Sequence, residues 1–240
     1  MHGLTWFTEL PAAVAEAQRA GKPILSLRLL GRLPDELTCA NSRFFKALLY
    51  PEPRINRVMR EQFVLHWQSV RPVPIVTIDF GGGRVLKKTL TGNSAHVVLD
   101  PFGRPADALP GLFAPDVFLQ LLSRARAFGL AERGKLARLH AAARDVVPSA
   151  RSTRAFDASR IAPAKHVVEA PVLRAVTQDV DADTAANLAL HDRVHEAFAR
   201  REVGVDVEAF VAWIYRELFL MPPEDPTLGL DVPDPFRALV

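Results

Sequence analysis

A single cysteine, Cys39, is all the thiol chemistry this 240-residue chain carries. That excludes an internal disulfide and any zinc site built from several thiolates. The chain also lacks an apolar run near the roughly 20 residues that a membrane-spanning helix needs. Its opening "MHGLTWFTEL" has neither the basic head nor the apolar middle of a secretory signal. The sequence therefore reads as a cytoplasmic protein, with a periplasmic one left open because a removed signal leaves no trace. There is no internal repeat, no Gly-Lys-Ser/Thr phosphate loop behind "DFGGG", no nucleophile-elbow serine and no His-Glu-x-x-His word. These absences leave a hydrophobic content of 49%, enough to build a substantial core.

The net charge of +3 is unevenly spread, +4 over residues 1–123, +7 over 124–165 and −8 over 166–240. The basic middle, "SRARAFGLAERGKLARLH", has a single phenylalanine among its arginines and not the series of aromatic residues that stacking platforms require, so nucleic-acid binding is not expected. The acidic last third is an available partner for it within the same molecule.

Periodicity predicts alternating helices and strands. "TELPAAVAEAQRAGKP" reads as a helix capped by Thr8, with Pro11 in its first turn and Gly21 closing it, followed by the strand "ILSLRLL". "ANSRFFKALLY" and "PRINRVMREQ" read as helices and "FVLHWQSV" as a strand. Two hairpins follow, one around "GGG" between "IVTIDF" and "RVLKKTL", and one around "PFG" between "AHVVLD" and "RPADAL". Helix is expected from Ala114 to about Arg144 with a break near Gly129. The domain organisation read from this pattern is a first domain over residues 1–145, a linker over 146–165, and a helical extension with an extended tail over 166–240. In the extension, "ADTAANLALHDRVHEAFARR" and "DVEAFVAWIYRELFL" read as two helices, and the tail "MPPEDPTLGLDVPDPF" carries five prolines.

The order helix, strand, cysteine loop, helix, strand, antiparallel pair, helix resembles a thioredoxin-like domain over residues 4–128. The words that carry the resemblance are "LTWFTELPAAVAEAQRAGKPIL", "REQFVLHWQSV" and "VVLDPFGRP". It implies an α/β fold, a mixed sheet flanked by helices, to which this chain adds its C-terminal helical extension and Pro-rich tail. It also puts Cys39 at the attacking position and Ser42 at the resolving position, so the motif is Cys-x-x-Ser. A serine hydroxyl can stabilise a thiolate but cannot attack a mixed disulfide, which removes dithiol turnover. Arg43 would add positive charge beside the thiol. Ser94, followed by Ala95, falls where the family has a cis-proline, and a non-proline there is expected to be trans. His66 and Trp67 lie on a sheet strand as candidate groove residues. A hairpin, "IVTIDFGGGRVLKKTL", stands where the family has a helix.

Two functions from different classes follow. One is a binding or scaffold module, taking a protein partner or a second copy through its C-terminal helices, where Phe210, Trp213, Ile214, Tyr215, Leu218 and Phe219 are apolar on more than one face. The other is a monothiol redox protein acting through Cys39. No cofactor and no metal are assigned. His191 and His195 stand one turn apart, but no third ligand is visible near them, and they read as part of a solvated, salt-bridged helix face. The acids Glu224, Asp225, Asp231 and Asp234 of the tail are expected to face the basic stretch 124–165, while its apolar residues pack on the chain itself.

Overall fold

The computed structural model describes residues 2–35, 38–144 and 180–230. The linker expected at 146–165 lies outside them, as do Asp231, Asp234 and Phe236. The protein is mixed α/β. Its strands are β1 (Trp6–Phe7), β2 (Ile24–Leu30), β3 (Val64–Arg71), β4 (Ile75–Asp79), β5 (Val85–Thr89), β6 (Ser94–Leu99) and β7 (Pro105–Pro110). Five of these form one sheet in the order β1-β3-β2-β6-β7, with β1, β3 and β2 parallel and β6 and β7 antiparallel to their neighbours. The hairpin β4–β5 is a separate two-stranded sheet, turned by Gly81, Gly82 and Gly83 at positive φ. Among the described residues no helix is long and apolar enough to cross a membrane.

The central strand β2 is buried on both faces along its whole length, which is why "ILSLRLL" has no polar alternation. On one face Leu25, Leu27 and Leu29 meet α2 (Ala40–Phe44), the π-helical turn that continues it (Phe45–Leu49), α3 (Pro53–Gln62) and α4 (Pro115–Gly129). On the other, Ile24 and Leu30 lie in a core shared with α1 (Leu10–Ala20), α5 (Arg133–Arg144), α6 (Val180–Ala199) and α7 (Val207–Trp213) with its π-helical continuation (Ile214–Leu218). The extension thus supplies much of the cover for one face of the sheet.

Local chemistry sets the helix ends. Gly21, at φ 62°, closes α1 by bonding back to Ala17, as the sequence indicates, but the N-cap is Glu9 and not Thr8. Pro11 then sits in the first turn, where a missing N–H costs nothing. Glu52 caps α3 through Ile55 N–H, and Asp206 caps α7 through Glu208 and Ala209 N–H. In the tail, Phe219, Met221 and Leu228 are buried, whereas Leu220 is exposed. Of the tail acids, Glu224 and Asp225 depart from expectation. Glu224 pairs with Arg216, and Asp225 accepts from Thr227 N–H and Gly229 N–H while its carbonyl accepts from Arg71. Short local bonds win over a distant basic stretch because they need no further chain ordering.

Candidate functional site

Cys39 is the N-cap residue of α2, directly ahead of Ala40. Its Sγ lies 3.0 Å from Ser42 Oγ, and both side chains are buried, Cys39 with 1% of its surface exposed. What covers it is the loop leading into β6. An ideal Cβ on Gly92 would stand 2.6 Å from Cys39 Cβ, so only a glycine permits that approach. Gly92→Ala is therefore expected to lower stability by about 1–3 kcal/mol, read as a shift of the urea midpoint. Cys39→Ala should not rescue it, because the clash is with Cβ and not with sulfur.

The same loop is held from two sides. Asn41 donates to Asn93 Oδ1 at 2.6 Å, and the Tyr215 hydroxyl donates to the Asn93 carbonyl at 2.9 Å. Tyr215 belongs to the π-helical continuation of α7, so the C-terminal extension pins the lid over the thiol. Burial raises the Tyr215 phenol well above its ordinary value, which keeps it a donor at all ordinary pH. Beneath it, Arg28 of β2 is buried, donates through Nε to Ser26 Oγ at 3.0 Å and pairs with Glu208 of α7 at 2.8 Å. Ser26 Oγ in turn lies 2.8 Å from His66 Nδ1.

Ser94 and Ala95 open β6, both fully buried, and Ser94 Oγ has no partner. All peptide bonds of the described residues are trans, including the one before Ser94. His66 is fully buried and faces Ser26, while its neighbour Trp67 packs into the core on the opposite face of the sheet. Arg43 is half-buried on α2. The structure thus brings Cys39, Ser42 and the Gly92–Ser94 loop together, and gives Ala95 and His66 no open groove.

A second constellation was not foreseen. His191 and His195 do not lie on a solvated face: they are 3% and 0% exposed, because α6 is packed between α5 and β7. Donors distant in sequence meet them there. His140 of α5 has its Nδ1 2.7 Å from His195 Nδ1 and its Nε2 2.9 Å from the Ala106 carbonyl. His191 Nε2 lies 3.1 Å from Oδ1 of Asp107 on β7. Phe128 and Phe198 stack on His140, with ring centroids at 4.1 and 4.3 Å. Asp107, His140 and His195 each offer a ligand atom within 4.8 Å of the others, all three side chains being buried. Burial raises the Asp107 carboxyl, but His191, with His195 and His140, outweighs it and holds the group at about 2. Burial pushes His195 down to about 3 and lowers His140 as well. The i, i+4 spacing in α6 was the one signal in the sequence; the other two members come from elements that only the fold makes neighbours.

The sequence matches no protein-family model, and no curated protein matches it.

Proposed function

We propose that this chain is a thioredoxin-like domain that has left dithiol chemistry and acts as a protein-binding or scaffold module. The observation that carries this reading is the burial of Cys39 beneath Gly92, a loop that Tyr215 holds in place. A thiol must reach its disulfide or electrophile to react, and the chain's own C-terminal extension guards the approach. The strand order β1-β3-β2-β6-β7, with a parallel first half and an antiparallel second half, supports the thioredoxin-like assignment, as does a cysteine at the N-cap of the helix after β2.

Two exposed apolar features support docking of a partner. One is a cavity of about 240 Å³ on the C-terminal helices, lined by Val203, Val205, Phe210 and Trp213 among others. The other is the β4–β5 hairpin, where Ile75, Ile78, Phe80 and Val85 are 42–61% exposed. A monothiol redox role is the second reading, favoured by the Ser42 hydroxyl at 3.0 Å from Sγ.

Thiol accessibility separates the two. In native buffer, Cys39 is expected to react with a chromogenic aromatic disulfide only at the rate of opening of the fold, and to release one equivalent at once in denaturant. Stoichiometric labelling of the folded protein within the mixing time would instead establish an accessible thiol and overturn the scaffold reading.

A further inference from the structure

We propose that Asp107, His140 and His195 form a transition-metal site, best suited to Zn²⁺, that ties α5 and α6 to strand β7. Nothing in this rests on the role given to Cys39, which takes no part in the group.

The hydrogen-bond pattern is the starting point. The Ala106 carbonyl accepts, so His140 Nε2 must carry its proton, and His140 Nδ1 is then a lone pair. That lone pair faces His195 Nδ1 at 2.7 Å. Without a metal, His195 Nδ1–H has to donate to it, and this leaves the lone pair of His195 Nε2 buried with no partner. That orphan is on the other ring nitrogen and stays whichever species sits between the two Nδ1 atoms; what points to an ion is a pair of buried ring nitrogens sharing one proton, with a carboxylate within 4.8 Å. A cation bound by His140 Nδ1 replaces the proton between the rings, and the outer contacts are already those of ligands. His140 donates its remote N–H to a backbone carbonyl, and the Asp107 carboxylate is held by His191. Two nitrogens bound to one tetrahedral zinc at about 2.0–2.1 Å stand about 3.3 Å apart, so the rings need to open by only about 0.6 Å.

The donor set selects the ion. Two imidazoles and one carboxylate, with a third imidazole, His191, against that carboxylate, suit zinc or a neighbouring first-row metal and not magnesium or calcium, which take oxygen ligands. With three protein ligands the fourth position of a tetrahedral ion falls to a water, and the surroundings bury the whole site. Phe128 and Phe198 sandwich His140, and all three ligand side chains are buried. A metal in such a place enters as the chain folds and leaves only when it opens.

The experiment is refolding of the full chain from denaturant in chelator, in Zn²⁺ or in Co²⁺, followed by gel filtration and elemental analysis. The expected result is one zinc per chain, a higher melting temperature than for the chelator-refolded protein, and for Co²⁺ the visible d–d bands of a four-coordinate nitrogen–oxygen site. His140→Gln and His195→Gln are each expected to cut metal retention by about tenfold or more. Wild-type protein that refolds without bound metal, or with octahedral cobalt bands, overturns the proposal. So does full retention in both variants. If the variants do not fold, X-ray absorption of the zinc-loaded wild type decides, since imidazole scattering from at least two histidines is required and its absence refutes the site.

Discussion

Replacing Tyr215 by alanine is expected to remove about 3–5 kcal/mol of stability, the range for deleting a large buried aromatic ring. Tyr215 is fully buried, packs edge-on against Phe219 with ring centroids 5.2 Å apart, and donates to the Asn93 carbonyl at 2.9 Å. Alanine forfeits the packing and leaves that carbonyl without its donor. Tyr215→Phe separates the two contributions, keeping the ring and losing only the hydroxyl, for about 1–2 kcal/mol. Denaturant titration with matched m-values reads both. The phenylalanine variant should also expose Cys39 to thiol reagents faster than wild type, because the loop over the sulfur loses one of its two side-chain anchors. A loss below about 1 kcal/mol for Tyr215→Ala would mean that the extension is not docked on the sheet.

Acid should unfold the protein well above the range in which carboxylates titrate. Burial holds His96 at about 3, and burial, then the Arg28 charge, holds His66 at about 4. Unfolded histidines titrate near 6.5. Both are therefore neutral in the folded state while the unfolded chain takes up protons, so the stability they confer is complete above about pH 6.5 and lost as pH falls from there towards 4 and 3. At pH 4 the loss is about 3 kcal/mol for each residue. Asp107 adds its own loss only lower, between its unfolded value near 3.8 and about 2. Urea midpoints taken from pH 7.5 to pH 4 should fall steeply, and His96→Gln or His66→Gln should flatten the slope by about one proton each. An unchanged midpoint across that interval would contradict the burial of these rings.

Most of the fold was legible because its signals are local. "ILSLRLL" is apolar without alternation and is a central buried strand; Gly21 closes α1; the triple glycine and "PFG" turn the two hairpins. Cys39 at a helix start was legible in the same way, from the helical spacing of the residues after it. What escaped is non-local. No pattern in "HDRVHE" distinguishes an inward face from an outward one, because the neighbours that bury it, α5 and β7, lie dozens of residues away. Thr8 is the residue type that caps helices, and only the backbone angles put the cap at Glu9, whose side chain makes no capping bond. Net charge points Glu224 and Asp225 to a distant basic stretch, whereas Arg216 meets Glu224 and the adjacent N–H groups of Thr227 and Gly229 meet Asp225 first.

The contacts between the extension and strand β2 also bear on how the chain is made. Glu208 and Arg28 are separated by 180 residues, and Tyr215 and Asn93 by 122. A ribosome releases the strands long before it releases the last of the helices that cover one face of them. Until then Arg28 keeps its bond to Ser26 but lacks its carboxylate partner, and the face around Ile24 and Leu30 has only part of its cover. Contacts of such long range make for slow closure and a prolonged aggregation-prone interval. Translation that stops short of residue 207 leaves a polypeptide whose strands are complete and whose lid is missing, a natural client for holding chaperones.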